Sequence, residues 1–126
     1  MDDNKKPTVA VIGASDDPEK FSYKSLRAHA AIGYEVYPVN PKGGVVEGKH
    51  ILKSIDEVPG GPLDRVTMYV RPEVGITLLE AIAKKGASEL WLNPGTDSPE
   101  LIAKAQELGL VPIVACSLVD CRNRGA

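Results

Sequence analysis

At 126 residues, with 25% charged and 43% hydrophobic residues, the chain has the make-up of one ordinary globular domain that can bury a sizeable core. A net charge of −2 argues against a nucleic-acid partner held by bulk electrostatics, and no apolar run reaches the length of a membrane span. Cys116 and Cys121 are too few and too close to staple a small secreted fold, and the polar start Met1–Lys6 has no apolar segment suited to a signal peptide. The expectation is a single cytoplasmic domain over residues 1–126, with flexible tails at 1–6 and 119–126.

Thr8 to Ile12 is a continuous apolar run, as expected of a strand covered on both faces. It runs into the small-residue turn Gly13-Ala14-Ser15. Ser22 to Ile32 is a candidate helix, with Ser22 at the N-cap position and Gly33 just past the end. Tyr34 to Val39 is a second strand, stopped by Pro41, and Lys42 to Lys49 holds three glycines and reads as a loop. Ser54-Ile55-Asp56-Glu57 has the pattern of a capping box opening a single helical turn before Pro59. Arg65 to Val70 is a third strand. Glu73 to Lys85 is a strongly patterned helix, with Val74, Leu78 and Ile82 four apart, Leu79 widening the stripe and Gly86 ending it. Glu89 to Leu92 is a fourth strand. Ser98 caps a helix that has Pro99 in its first position and Leu101, Ile102, Ala105 and Leu108 as its apolar stripe; Gly109 closes it. Val111 to Ala115 is a fifth strand.

This alternation of strands and helices implies an α/β fold with a mainly parallel five-stranded sheet covered by helices on both faces. In such sheets ligands sit beyond the carboxyl ends of the strands, near the reversal of strand order. Five strand-end segments are therefore candidates: Gly13-Ala14-Ser15, Asn40-Pro41-Lys42, Arg71-Pro72, Asn93-Pro94-Gly95 and Cys116-Ser117. Turns need Gly, Pro and Asn in any case, so no single segment is diagnostic; their convergence on one sheet edge is what favours a site.

The first turn lacks the G-x-G-x-x-G pattern, since Gly13 is followed by Ala14, Ser15, Asp16, Asp17 and Pro18. Ser15 brings a hydroxyl, whereas Asp16 and Asp17 repel a phosphate unless they point away. The loop to Phe21 is long enough to bring Lys20 or the Phe21 ring over a ligand. At the end of the second strand, NAD-binding folds place an acid on the ribose hydroxyls. Here the residues are Asn40 and Lys42, and a lysine suits a phosphomonoester on the ribose, as in coenzyme A or NADP. Gly43 and Gly44 let the backbone approach closely.

These segments carry a resemblance. A Gly turn after the first strand, Val39-Asn40-Pro41-Lys42-Gly43-Gly44 after the second, Tyr69-Val70-Arg71-Pro72 after the third, then Leu79-Glu80-Ala81-Ile82, Gly86-Ala87 and Leu90-Trp91-Leu92-Asn93-Pro94-Gly95 follow one another over about residues 7 to 118. In order and spacing the chain resembles the stand-alone CoA-binding domain family and the CoA-binding domain of the succinyl-CoA synthetase α subunit. The resemblance implies a three-layer Rossmann-like fold. It implies that Gly13, Ala14 and Ser15 contact the pyrophosphate of coenzyme A, and that Asn40, Pro41 and Lys42 hold the adenosine end with Lys42 near its phosphate. Val70, Arg71 and Pro72 would line the adenine or the pantetheine channel, and Asn93, Pro94 and Gly95 would sit near the pantetheine end. Arg71 departs from the synthetase pattern of small or apolar residues; it either reaches a phosphate or blocks the site.

The ligase relatives carry a phosphorylated histidine in a further domain and use a separate nucleotide-grasp module, and neither is found in these residues. His29, inside the first helix, and His50, in the loop region before Ser54, read as surface or structural, and no metal-spaced His/Cys cluster or Ser/His/Asp order is present. Cys116 stands at the ligand edge, where it either faces the thiol of bound CoA or is an inert buried thiol, the commoner state of a free cysteine. Cys121 falls in the polar tail, where exposure is expected, and Trp91 reads as core packing. The expectation is non-catalytic binding of coenzyme A or acyl-CoA, with no metal, nucleic acid or membrane partner. The alternative is an NADP- or other nucleotide-binding enzyme, or a catalytic fragment acting with a partner chain.

Overall fold

The computed structural model describes residues 6–126; Met1 to Lys5, most of the expected N-terminal tail, lie outside the described residues. The elements run β1 (Thr8–Ile12), α1 (Phe21–Ala31), β2 (Glu35–Val39), β3 (Val45–Val46), β4 (Lys49–His50), a 3-10 turn at Ile55–Glu57, β5 (Leu63–Met68), α2 (Pro72–Lys85), β6 (Ala87–Leu92), α3 (Pro99–Glu107), β7 (Pro112–Val114) and α4 (Ser117–Asn123). Five strands form one parallel sheet in the order β2-β1-β5-β6-β7, which with helices on both faces is a Rossmann-like α/β architecture.

Side chains on a strand alternate between faces, and β1 serves two cores in this way. Ala10 and Ile12 join Val66, Met68, Leu90 and Leu92 under α2 and α3, against Leu79, Ile82, Leu101 and Ala105. Val9 and Val11 face the other way, onto Leu26 of α1 with Val36 and Tyr34. Continuous apolarity from Val9 to Ile12 is what this two-sided burial demands. On β5 the alternation is chemically sharper. Val66 and Met68 enter the apolar core, while Arg65 and Thr67 face the α1 side, where α1 packs against α4.

Several boundaries differ from expectation for local reasons. α1 begins at Phe21 with Lys20 at the N-cap position; Ser22 lies buried inside the first turn and caps nothing. Residues 42–49, expected as a loop, contain β3 and the start of β4, a small antiparallel hairpin. Ser54 makes no side-chain cap, and Glu57 instead accepts from the Lys53 N–H at 3.1 Å. The buried face of α2 is Gly75, Leu79 and Ile82, so Val74 is left exposed. A Cβ on Gly75 would lie 2.7 Å from the Met68 sulfur, which is how closely α2 approaches the sheet. Ser98 caps α3 as expected, accepting from the Leu101 N–H at 3.1 Å.

The C-terminal segment is the main correction. Residues 119–126, expected as a flexible tail, lie largely within α4, which packs against α1 and buries Ser117, Leu118 and Cys121. Cys121 is therefore interior, and burial pushes its thiol up to about 11.

Candidate functional site

Strand order reverses at β1: the chain goes out to β2 on one side and returns to β5 on the other. A cleft of about 640 Å³ opens at the carboxyl ends of these strands, a size usual for a small-molecule site. Gly13, Ala14, Ser15, Lys20, Phe21, Asn40, Lys42, Val70, Arg71, Pro94 and Gly95 all line it. Pro41, Pro72 and Asn93, also expected at the site, do not.

The turn after β1 is stitched to β2. The N–H groups of Gly13 and Ala14 both donate to the Val39 carbonyl, at 2.9 and 3.1 Å. Both N–H groups are thus engaged within the protein. Gly13 has φ +86°, and a Cβ there would lie 3.1 Å from the Tyr69 carbonyl oxygen and from a Val70 methyl. Its glycine is required by this backbone conformation and by the close passage of the segment that follows β5. The donors left over are one step further on, because the N–H groups of Ser15 and Asp16 find no acceptor among the described residues. Ser15 Oγ accepts from the Asp17 N–H at 3.0 Å, and the Asp17 carboxylate accepts from the Glu19 N–H at 3.0 Å. These two side-chain turns shape the loop and hold Asp17 out of the cleft lining, whereas Asp16 remains in it.

The loop leads into α1, whose first turn has no side-chain cap and whose residues Phe21 and Ser22 lie against the cleft. Unpaired N–H groups and the positive end of the helix dipole make this an anion-favouring edge. Phe21 is 65% exposed there.

At the end of β2, Asn40 Nδ2 donates to the Ala14 carbonyl at 2.9 Å, and its Oδ1 accepts from the Lys42 N–H at 3.0 Å. The hairpin β3–β4 forms the adjoining wall, contributing Gly43, Gly44 and Ile51. Its turn residue Glu47 has φ +48°, an unusual conformation for a non-glycine, and is pinned to α1 by Tyr23 Oη at 3.0 Å and Arg27 Nε at 3.1 Å. Ile51 was not visible as a lining residue in the sequence because the hairpin itself was not.

On the β5 side, Val70 and Arg71 reach the cleft together with Tyr69, which sequence reasoning passed over. Arg71 is 84% exposed and only 3.9 Å from Glu73, so it stands at the rim and does not block the opening. The Tyr69 hydroxyl meets Ser117 Oγ at 3.0 Å, and burial holds its pKa above the usual value against hydrogen bonds from Ser117, Ser25 and Thr67. Behind it lies Asn93, whose Nδ2 donates to Thr67 Oγ1 at 2.7 Å and to the Met68 carbonyl at 2.8 Å. Its Oδ1 accepts from the Ser117 N–H at 2.8 Å and from Ser117 Oγ at 3.1 Å. Asn93 thus clamps β5, β6 and α4 together beneath the cleft. Pro94, Gly95 and Thr96 form the floor at this end. Cys116, at the β7–α4 junction, is partly buried and is not among the cleft-lining residues.

His29 is fully buried on the α1 face, with Nδ1 2.8 Å from the Ser25 carbonyl and Nε2 3.3 Å from Arg65 Nη1. Arg65 is itself buried and bonds Glu89 and Asp120, each at 2.9 Å, beneath Trp91, whose ring centroid is 4.5 Å away. Burial opposes the charge on Arg65, but Asp120, Tyr34 and Glu89 outweigh it and raise its pKa. Neither His29 nor His50 lines the cleft, and among the described residues no cluster of His, Cys, Asp and Glu could hold a metal. No helix of the described residues is long and apolar enough to cross a membrane.

A parallel sheet with a cleft at its order reversal, flanked by lysines and a free helix start, defines a Rossmann-like ligand-binding domain. The chain belongs to the CoA binding domain family, whose model matches residues 7–122. It is 30% identical over 106 residues to the uncharacterised protein YneT of Bacillus subtilis (strain 168), covering 84% of this chain and 78% of that one. It is 33% identical over 108 residues to the acetate–CoA ligase (ADP-forming) II subunit alpha of Pyrococcus furiosus. That match takes in 83% of this chain but only 23% of the ligase subunit. Among solved structures, a hypothetical protein from Pyrococcus horikoshii OT3 superposes with a TM-score of 0.86 at 31% identity, covering 97% of this chain and 86% of the other.

Proposed function

We propose that the chain binds coenzyme A or an acyl-CoA in the cleft at the carboxyl edge of the sheet and performs no chemistry of its own. Membership of the CoA binding domain family supports the ligand class. The carrying observation is the convergence on one cleft of unspent N–H groups at Ser15 and Asp16, the uncapped start of α1, and Lys20 and Lys42. In this reading the diphosphate lies against Ser15, Asp16 and α1, and Lys42 meets the phosphate on the ribose. The pantetheine arm runs past Val70 toward Pro94 and Gly95, and Phe21 covers the ligand from the helix side. The position of both histidines away from the cleft supports a binding role.

Titration calorimetry with CoA, dephospho-CoA, NAD and NADP tests this. CoA is expected to bind most tightly and NAD least. Lys42→Ala should weaken CoA by about 1.5–3 kcal/mol, the worth of a charge-assisted contact, and leave dephospho-CoA nearly unchanged. Equal affinity for CoA and dephospho-CoA would remove the role given to Lys42, and NADP binding more tightly than CoA would favour a dinucleotide enzyme instead.

A further inference from the structure

Every polar group of Asn40 already has a partner inside the protein. Its backbone N–H donates to the Leu52 carbonyl at 2.8 Å, and its carbonyl accepts from the Gly43 N–H at 2.9 Å. Its Oδ1 accepts from the Lys42 N–H, and its Nδ2 donates to the Ala14 carbonyl. One residue therefore joins the turn that carries Lys42 to the turn that carries Ser15.

The consequence follows from peptide geometry. The described residues have no cis peptide bonds, and in a planar trans peptide the carbonyl and the following N–H point in opposite directions. Holding the Ala14 carbonyl toward Asn40 fixes the Ser15 N–H pointing away from Asn40. That N–H has no acceptor among the described residues. On the opposite side of the same turn, the Gly13 and Ala14 N–H groups are already consumed by Val39. With those two donors spent, the Ala14–Ser15 peptide is the first plane of the loop whose orientation decides whether a donor or an acceptor is left for a ligand.

We propose that Asn40 is a positioning residue, whose side-chain amide locks the Ala14–Ser15 peptide so that the Ser15 N–H is presented to a ligand diphosphate. This rests on the CoA-binding reading for the identity of the ligand, but the peptide lock itself belongs to the free protein. Asn40→Ser keeps a hydroxyl to accept from Lys42 and is too short to reach Ala14. Asn40→Asp keeps the acceptor and turns the donor into an oxygen facing the Ala14 oxygen.

The test combines amide NMR with calorimetry. In the free protein, Asn40→Ser should shift the Ser15 amide resonance and leave that of Lys42 nearly in place. Its affinity for CoA and for dephospho-CoA should fall by the same factor, ten-fold or more, because both carry the diphosphate; Lys42→Ala should instead separate the two ligands. A general loss of structure would show as a lowered Tm. Should either Asn40 variant fail to fold, the wild type answers alone: CoA or inorganic pyrophosphate should move the Ser15 amide resonance strongly. A wild type that ignores CoA while pyrophosphate still moves Ser15 would sink the ligand assignment and spare the lock. Binding of CoA with an unmoved Ser15 amide, or with unchanged affinity in a folded Asn40→Ser, would overturn the lock. A wild type indifferent to both probes would overturn both.

Discussion

His29 Nε2 lies 3.3 Å from Nη1 of Arg65, a guanidinium that can only donate, so the imidazole nitrogen facing it is the acceptor. The proton of neutral His29 then sits on Nδ1, which donates to the Ser25 carbonyl at 2.8 Å. Burial is the main force holding the His29 pKa down to about 4 from its ordinary 6.5; the Ser25 carbonyl opposes the drop, Arg65 deepens it, Asp120 works against it and Arg124 adds to it.

Stability should therefore fall in mild acid. Between pH 6.5 and 4 the unfolded chain binds a proton that the folded chain refuses. The contribution is complete above about 6.5 and is lost as pH drops toward 4, on the order of 3 kcal/mol in all. Urea titrations at several pH values should show this slope in the wild type and a flatter one in His29→Gln. The same slope in both would refute the assignment.

Gly13→Val should damage the fold before it touches a ligand. The new side chain meets the Tyr69 carbonyl and Val70, and φ +86° is unfavourable for a β-branched residue. A loss of about 2 kcal/mol or more of stability is expected. A variant as stable as the wild type would show that the turn can move away from β5.

Asp16 is the one acid among the described residues that lines the cleft, which Lys20, Lys42 and Arg71 otherwise border. Asp16→Asn should tighten CoA binding several-fold at low salt, with the gain shrinking as salt screens it. Weaker binding would mean that the carboxylate makes a contact the ligand uses.

How much of this was legible depended on how local each signal was. Val9 to Ile12 announces a doubly covered strand by composition, and Ser98-Pro99 announces a helix start by chemistry, so both were readable. The last helix was not: only Leu118 and Cys121 mark its apolar side, Val119 faces solvent, and much of its hold on the fold is the polar pairing of Ser117 and Asp120 with β5. The cleft's location followed from topology, since strand-end residues gather at the reversal of order. The duties of its residues did not, because whether Gly13 or Ala14 has a free N–H depends on the Val39 carbonyl across the sheet. Asn40 and Asn93 both read as ligand contacts, yet the amide of Asn40 is half engaged and that of Asn93 wholly engaged inside the protein.

The purified chain should bind CoA yet form no acyl-CoA from ATP, CoA and short acids. Ligation needs an activated acyl group, and neither histidine stands at the cleft to carry one. Thioester formation over time, with a complete synthetase as positive control, measures this. Turnover that vanishes in His29→Ala or His50→Ala would promote that histidine to a catalytic residue.

Asn93 also sets how small a portable version of this domain can be. With residues 117–126 removed, its buried oxygen loses both of its donors, and Arg65 loses Asp120 from a site that water barely reaches. A fragment ending at β7 would retain every strand of the sheet and still carry unsatisfied polar groups at its centre. Anyone grafting the cleft onto another protein must carry the final helix with it, although that helix supplies no wall of the cleft.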